Sequence, residues 1–206
     1  MKKKIKNVQM FSMGGSGSYW IYSALKARLK TAPELQDIIY DIEGQIGGGP
    51  YKHRKEPPEA LHCSEGVALY LYCTPLHHAL CMYNKKLSTL HCQQMGGEVP
   101  GIRKVKTFED FVENGVDYFE YHNHLSNWLN HKTKYPRILI KYENIGEEFD
   151  RLCHLIKMKP GETLTVKQRK ANHTKLSTNI RDKLLKMFKT ELELYNSLDS
   201  FIVRER

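Results

Sequence analysis

The sequence predicts an α/β domain in three layers, a mainly parallel sheet with helices on both faces. Three observations predict it. A strand-like stretch at 4–12 enters a glycine-rich loop at 13–18 (MGGSGS), and a helical pattern follows at 19–31. Two apolar runs, 67–73 (VALYLYC) and 137–141 (RILIK), suit strands buried on both faces. Helical periodicity lies between and after these runs, so strands alternate with helices.

The elements follow in chain order. Residues 4–12 alternate loosely, as a short strand does. In the first helix, Trp20, Ala24, Leu25 and Leu29 share one face. Residues 44–58 (GQIGGGPYKHRKEPP) combine Gly, Pro and charge and read as a long flexible loop, of the kind that forms lids. Thr74-Pro75 opens a helix running to about Leu87, because proline fits the first helical turn. The stretch 88–105 is irregular. Thr107 caps the next helix, with Asp110 three positions on. Residues 116–131 read as an aromatic-rich helix, and Glu147 to Met158 as another with Phe149, Leu152, Cys153 and Ile156 inward. Pro160-Gly161 ends it. Ser177 caps the last helix, where Ile180, Leu184, Leu185, Phe188, Leu192 and Tyr195 recur at helical spacing.

At 206 residues the chain fits one core, so 1–206 is read as a single domain. No apolar run reaches the roughly 18 residues needed to span a membrane. The basic start is followed by an apolar run broken by Asn7 and Gln9, which reads as a strand and not an export signal. The five cysteines (Cys63, Cys73, Cys81, Cys92 and Cys153) include no CxxC. The expectation is free thiols in the cytoplasm. The net charge of +9 favours anionic partners: a nucleotide, an acidic glycan or nucleic acid. A solvated lysine-rich surface accounts for the same charge, and no dense basic tract is present.

The glycine loop is the feature with the most chemistry. A strand that enters such a loop and opens a helix makes an anion site. The loop amides converge, and the helix N-terminus adds partial positive charge. Gly14, Gly15 and Gly17 permit positive φ and close approach, while Ser16 and Ser18 offer hydroxyls. A plain flexible turn is the structural alternative. The kinase pattern G-x-x-x-x-G-K-S/T is absent, which suits a phosphate donor used without a divalent metal.

Residues Gly15 to Trp20 (GSGSYW) resemble the phosphate loop of the sulfotransferase family, and Ile21 to Leu25 resemble its first helix. Further segments agree in order: 67–83 with the family's second nucleotide segment, 125–129 (LSNWL) and 138–145 (ILIKYENI) with its later landmarks, and 176–198 with its C-terminal helix. The likeness covers most of the chain. It implies a P-loop NTPase-like fold and a donor, 3′-phosphoadenosine 5′-phosphosulfate, that gives up a sulfuryl group to a hydroxyl acceptor without a metal. Gly15, Ser16, Gly17, Ser18 and Tyr19 would hold the 5′-phosphosulfate. Trp20 would stack near the adenine or serve as a core residue of the first helix. The acceptor stays open among a glycan, a small alcohol or phenol, and a protein tyrosine.

The chain departs from the family pattern. The loop lysine falls on Gly15, a glycine that some branches share. The arginine and serine that bind the 3′-phosphate align with Cys73 and Cys81. Cysteine carries no positive charge and is a weak donor. Lys85, Lys86, Arg169 and Lys170 are the basic residues that would compensate. A non-catalytic or altered-donor nucleotide binder on the same fold is therefore an alternative. A P-loop phosphotransferase and a nucleic-acid binder are others.

Sulfuryl transfer requires a base for the acceptor hydroxyl and positive charge on the leaving phosphate. His62 is the candidate base, placed just before the 67–73 strand where many family members carry a Thr-His element. Glu43 and Asp41 are carboxylate alternatives, and His53 in the glycine-rich loop is a third. Cys73, His77 and Cys81 recur every four residues and are chemically able to bind zinc, but no compact knuckle is present and no metal is expected. Tyr118, Phe119, Tyr121 and Trp128 line either an acceptor pocket or the core. Glu143 reads as a structural carboxylate that fixes a loop or helix N-terminus.

Overall fold

The computed structural model describes residues 7–30, 53–61, 65–84, 105–156 and 176–205. Its strands are β1 (Asn7–Ser12), β2 (Gly66–Tyr72), β3 (Arg137–Lys141) and β4 (Phe201–Arg204). Among the described residues they form one sheet in the order β1-β2-β3-β4. The first three are parallel, and β4 runs antiparallel to β3. The carboxyl ends of β1, β2 and β3 therefore open onto one edge, where ligands bind in open α/β sheets.

The helices are α1 (Ser18–Lys30), α2 (Pro75–Asn84), α3 (Phe108–Asn114), α4 (Tyr121–Asn130), α5 (Ile145–Leu155), α6 (Thr178–Met187) and α7 (Lys189–Ser197). A 3-10 turn, Tyr142–Asn144, joins β3 to α5. Strand alternation assigns the two faces of the sheet. Val8, Met10, Val67, Leu69, Leu71, Ile138 and Ile140 pack with residues of α1 and α5. Phe11, Ala68, Tyr70, Tyr72, Leu139 and Ile202 pack with residues of α2, α3, α4, α6 and α7. Helices thus flank the sheet on both faces, as the buried strand runs predict.

Several local expectations are met by visible chemistry. Thr74 Oγ1 accepts the amide of His77 (3.2 Å) and caps α2. Thr107 and Asp110 form a full capping box on α3, and Gly115 closes that helix at φ +62. Ser177 accepts from the Ile180 amide at the start of α6. Glu143 does what the sequence predicts of it. One oxygen accepts the Thr74 amide (2.9 Å) at the entry to α2, and the other accepts the Tyr195 hydroxyl (2.8 Å) on α7.

Four expectations are corrected. The helix predicted over 116–131 starts only at Tyr121. Asp117 accepts the amides of Phe119 (3.0 Å) and Tyr121 (2.6 Å), a side-chain competition that displaces the helical pattern upstream. Glu120 at φ +50 completes that turn. The last helix is two, α6 and α7, broken at Phe188, whose ψ is +26. Leu185 is not inward but 39% exposed, because the buried row is Ile180, Leu184, Phe188 and Tyr195. The chain then turns back into β4, a strand that the sequence analysis did not foresee. Finally, residues 53–58 are not a free loop. The Trp128 indole donates to the Arg54 carbonyl (2.9 Å), the Tyr135 hydroxyl donates to the Pro58 carbonyl, and Lys55 pairs with Glu120. The rest of the predicted loop, 44–52, lies outside the described residues.

Arg137 is almost fully buried at the start of β3. Its Nη1 donates to the Trp128 carbonyl near the end of α4, where a cation meets the negative end of the helix dipole.

Glu143→Ala removes the acceptor for one backbone amide and one tyrosine hydroxyl at once. Urea denaturation should show a loss of about 2–3 kcal/mol, since bonds to charged groups and orphaned partners are the costly kind. Tyr195→Phe, which removes only one of the two bonds, should lose less.

Candidate functional site

The glycine loop sits at the carboxyl end of β1. The Met13 amide donates to the Leu71 carbonyl (2.9 Å), so the loop leaves while still tied to the neighbouring strand. Gly15 has φ +86 and Gly17 has φ +69, values that other residues adopt only with strain. Space is equally restrictive. A Cβ on Gly17 would lie 2.1 Å from Cε2 of Tyr142, and one on Gly15 would lie 2.9 Å from Cβ of Cys81. The loop backbone is therefore pressed between the start of the 3-10 turn and the face of α2. Gly17 then accepts the Trp20 amide (2.9 Å) as α1 begins, and the first-turn amides of that helix face its N-terminal end.

Two histidines grip backbone carbonyls here, one at the end of β1 and one in the loop. His53 Nδ1 lies 2.7 Å from the Ser12 carbonyl and 3.2 Å from the Ser12 hydroxyl. A carbonyl only accepts, so Nδ1 carries the proton and Nε2 the lone pair. His78 Nδ1 donates in the same way to the Gly14 carbonyl (2.7 Å). The His78 ring is fully buried and meets Phe119 and Tyr121 edge-on. His53 is only half-buried.

The expected site residues divide. Gly15, Gly17 and Cys81 come together at the sheet edge, with Ser18 and Tyr19 opening α1. The Ser16 hydroxyl is buried and turned toward the Met13 carbonyl of the loop and the Leu71 carbonyl of β2 (2.9 Å to the latter). Trp20, partly buried, packs edge-on against Phe149 at 6.2 Å. Cys73 is fully buried among the α1- and α5-facing residues, and its carbonyl accepts the Tyr121 hydroxyl (2.6 Å). His62, Glu43, Asp41, Lys85, Lys86, Arg169 and Lys170 lie outside the described residues.

Among the described residues no group of three or more His, Cys, Asp or Glu side chains is arranged to hold a metal. The reason is geometric: Cys73 points into the core, His77 lies against the Tyr142 ring and His78 holds Gly14. Cys73, Cys81 and Cys153 are not joined in disulfides. Phe119, Tyr121 and Trp128 are fully buried in the core, and Tyr118 packs partly buried against it. No helix among the described residues is long and apolar enough to cross a membrane.

One polar group in this region has no counterpart in the sequence analysis. His124, fully buried on α4, shares a 2.7 Å hydrogen bond between Nδ1 and the Tyr70 hydroxyl. Its Nε2 is buried and has no hydrogen-bond partner among the described residues. Desolvation, with a smaller contribution from His78, pushes its pKa down to about 3. The only sequence signal was its position, three residues after Tyr121 and four before Trp128 on the buried face.

Two outcomes test this geometry. Gly17→Ala should destabilise the fold, and Tyr142→Ala should restore only part of the loss, because the left-handed backbone still costs about 1–2 kcal/mol. Stability should also fall with acid. His124 stays neutral when folded down to about pH 3, whereas the unfolded chain takes up its proton below about 6.5. The contribution is complete above pH 6.5 and is lost as pH falls from there. Between pH 7 and 5 denaturation midpoints should record a loss of about 2 kcal/mol that His124→Phe lacks. No family model, curated protein or solved structure matches the chain.

Proposed function

We propose that this protein is a sulfotransferase that uses 3′-phosphoadenosine 5′-phosphosulfate and a hydroxyl acceptor. The observation that carries the reading is the loop from Met13 to Ser18, with glycines at positive φ where no side chain fits, at the carboxyl edge of parallel strands. Such a loop binds phosphate through backbone amides and the α1 N-terminus, which suits a donor handled without metal. The ordered resemblance of the later segments supports the family over a P-loop phosphotransferase.

His53 is the favoured base among the described candidates. It stands at the exit of β1, half-exposed, with Nδ1–H committed to the Ser12 carbonyl. That bond selects the tautomer whose Nε2 accepts a proton. The acceptor oxygen attacks sulfur, its proton passes to His53 Nε2, and the sulfur–oxygen bond to the 5′-phosphate breaks. The bisphosphate leaves with the bond's electron pair, its charge held by the loop amides. His62 and Glu43 remain rival bases.

One observation favours the altered-donor alternative. Cys73, at the position of the family's 3′-phosphate arginine, is fully buried on the α1-facing side of the sheet. A 3′-phosphate site then depends on other groups, with Arg169 and Lys170 the candidates.

Calorimetric titration separates the readings. Binding of adenosine 3′,5′-bisphosphate in preference to 5′-AMP and ATP-magnesium is the expected result. Equal binding of the bisphosphate and 5′-AMP would transfer the protein to the altered-donor class. In a sulfuryl-transfer assay His53→Asn, which keeps an N–H for Ser12 but has no base, should lower turnover about 100-fold or more. Its affinity for the bisphosphate should stay close to that of the wild type.

A further inference from the structure

We propose that His78 is a positioning residue that holds the phosphate loop in its anion-accepting form through the Gly14 carbonyl; this deepens the phosphate-donor reading above and rests on it. Three observations support it. His78 is fully buried, and its Nδ1 lies 2.7 Å from the Gly14 oxygen. Its ring is held edge-on by Phe119 (5.2 Å) and Tyr121 (5.6 Å), so the donor has a fixed direction. One helical turn on, Cys81 meets the loop again: a Cβ on Gly15 would come within 2.9 Å of Cys81 Cβ and 4.0 Å of His78 Cα. His78 and Cys81, three apart on α2, form the platform on which residues 14 and 15 rest.

The consequence follows from peptide geometry. The Gly14–Gly15 peptide is planar and trans, so its carbonyl and amide point in opposite directions. With the Gly14 oxygen held by His78, the Gly15 N–H is aimed away from α2. Gly15 at φ +86 lets the chain continue from that orientation. A glycine pair without such an anchor is free to flip its peptide, which would put a carbonyl where the anion needs a donor. His78 thereby supplies through the backbone part of the order that a loop lysine would supply by charge, and it touches no substrate atom.

The test uses the full chain with three anions: adenosine 3′,5′-bisphosphate, ATP-magnesium and inorganic pyrophosphate. His78→Phe keeps the aromatic volume and loses the donor. His78→Asn places Nδ2 where Nδ1 stood and retains it. The expected result is anion binding weakened about tenfold or more in His78→Phe, the scale of a lost buried hydrogen bond, and largely recovered in His78→Asn. Amide exchange at Gly15 should be faster in the first variant and near wild type in the second. Equal affinities for wild type and His78→Phe would overturn the proposal. If both variants fail to fold, long-range proton–nitrogen NMR of the wild type decides, since a His78 ring protonated on Nε2 and not on Nδ1 would also overturn it. Wild-type binding of pyrophosphate or ATP without the bisphosphate would end the sulfuryl-donor reading and leave the His78 proposal to be judged on those anions. Binding of none of the three would end both.

Discussion

A strand whose seven residues are all buried has to be covered on both faces and paired on both edges. β2 is that strand. Its alternate residues face different layers, Val67, Leu69 and Leu71 toward α1 and α5, Ala68, Tyr70 and Tyr72 toward the other helices. Polar backbone in such a place is satisfied only by neighbouring strands, and β1 and β3 supply the bonds in parallel register. Parallel pairing forces crossovers to return over the faces, which is where the helices lie. It also places the ends of three strands on one edge. The glycine loop, the capped start of α2 and the Tyr142 turn meet there.

The edge is built largely from backbone groups, and side chains serve it by holding them. Glu143 binds an amide, His53 and His78 bind carbonyls, and Tyr121 donates to the Cys73 carbonyl. Tyr142 and Cys81 fill the volume that side chains on Gly17 and Gly15 would occupy. A loop held this way has its backbone direction fixed by its own protein contacts. Ser16 fits the same pattern, since its hydroxyl faces the Met13 and Leu71 carbonyls and braces the loop from below.

The sequence was most legible where one pattern has one physical cause. Unbroken apolar runs became β2 and β3, the Thr107–Asp110 spacing became a capping box, and Glu143 became a helix-entry carboxylate. It was least legible where a local bond outcompetes periodicity. Asp117 takes two amides that the 116–131 pattern assigned to a helix, and Phe188 breaks a repeat that continues on either side. β4 went unseen because FIVR is short and follows a strong helical signal. The strap at 53–58 was unreadable for a different reason: its bonds run to Glu120, Trp128 and Tyr135, more than 60 residues away in sequence.

Histidine shows most sharply why the candidate site could be placed by sequence only in part. His53, His78 and His124 are equally good bases on paper. In the fold, His78 and His124 are fully buried among rings, and burial holds the pKa of His124 near 3, so it stays neutral at any working pH. His53 makes the same kind of carbonyl bond as His78 but keeps part of its surface open at the strand exit. A ring committed at Nδ1 and half-buried keeps an edge at the surface; a ring committed at Nδ1 and buried can only hold what it is bonded to. Exposure, which no spacing of residues encodes, separates the two roles.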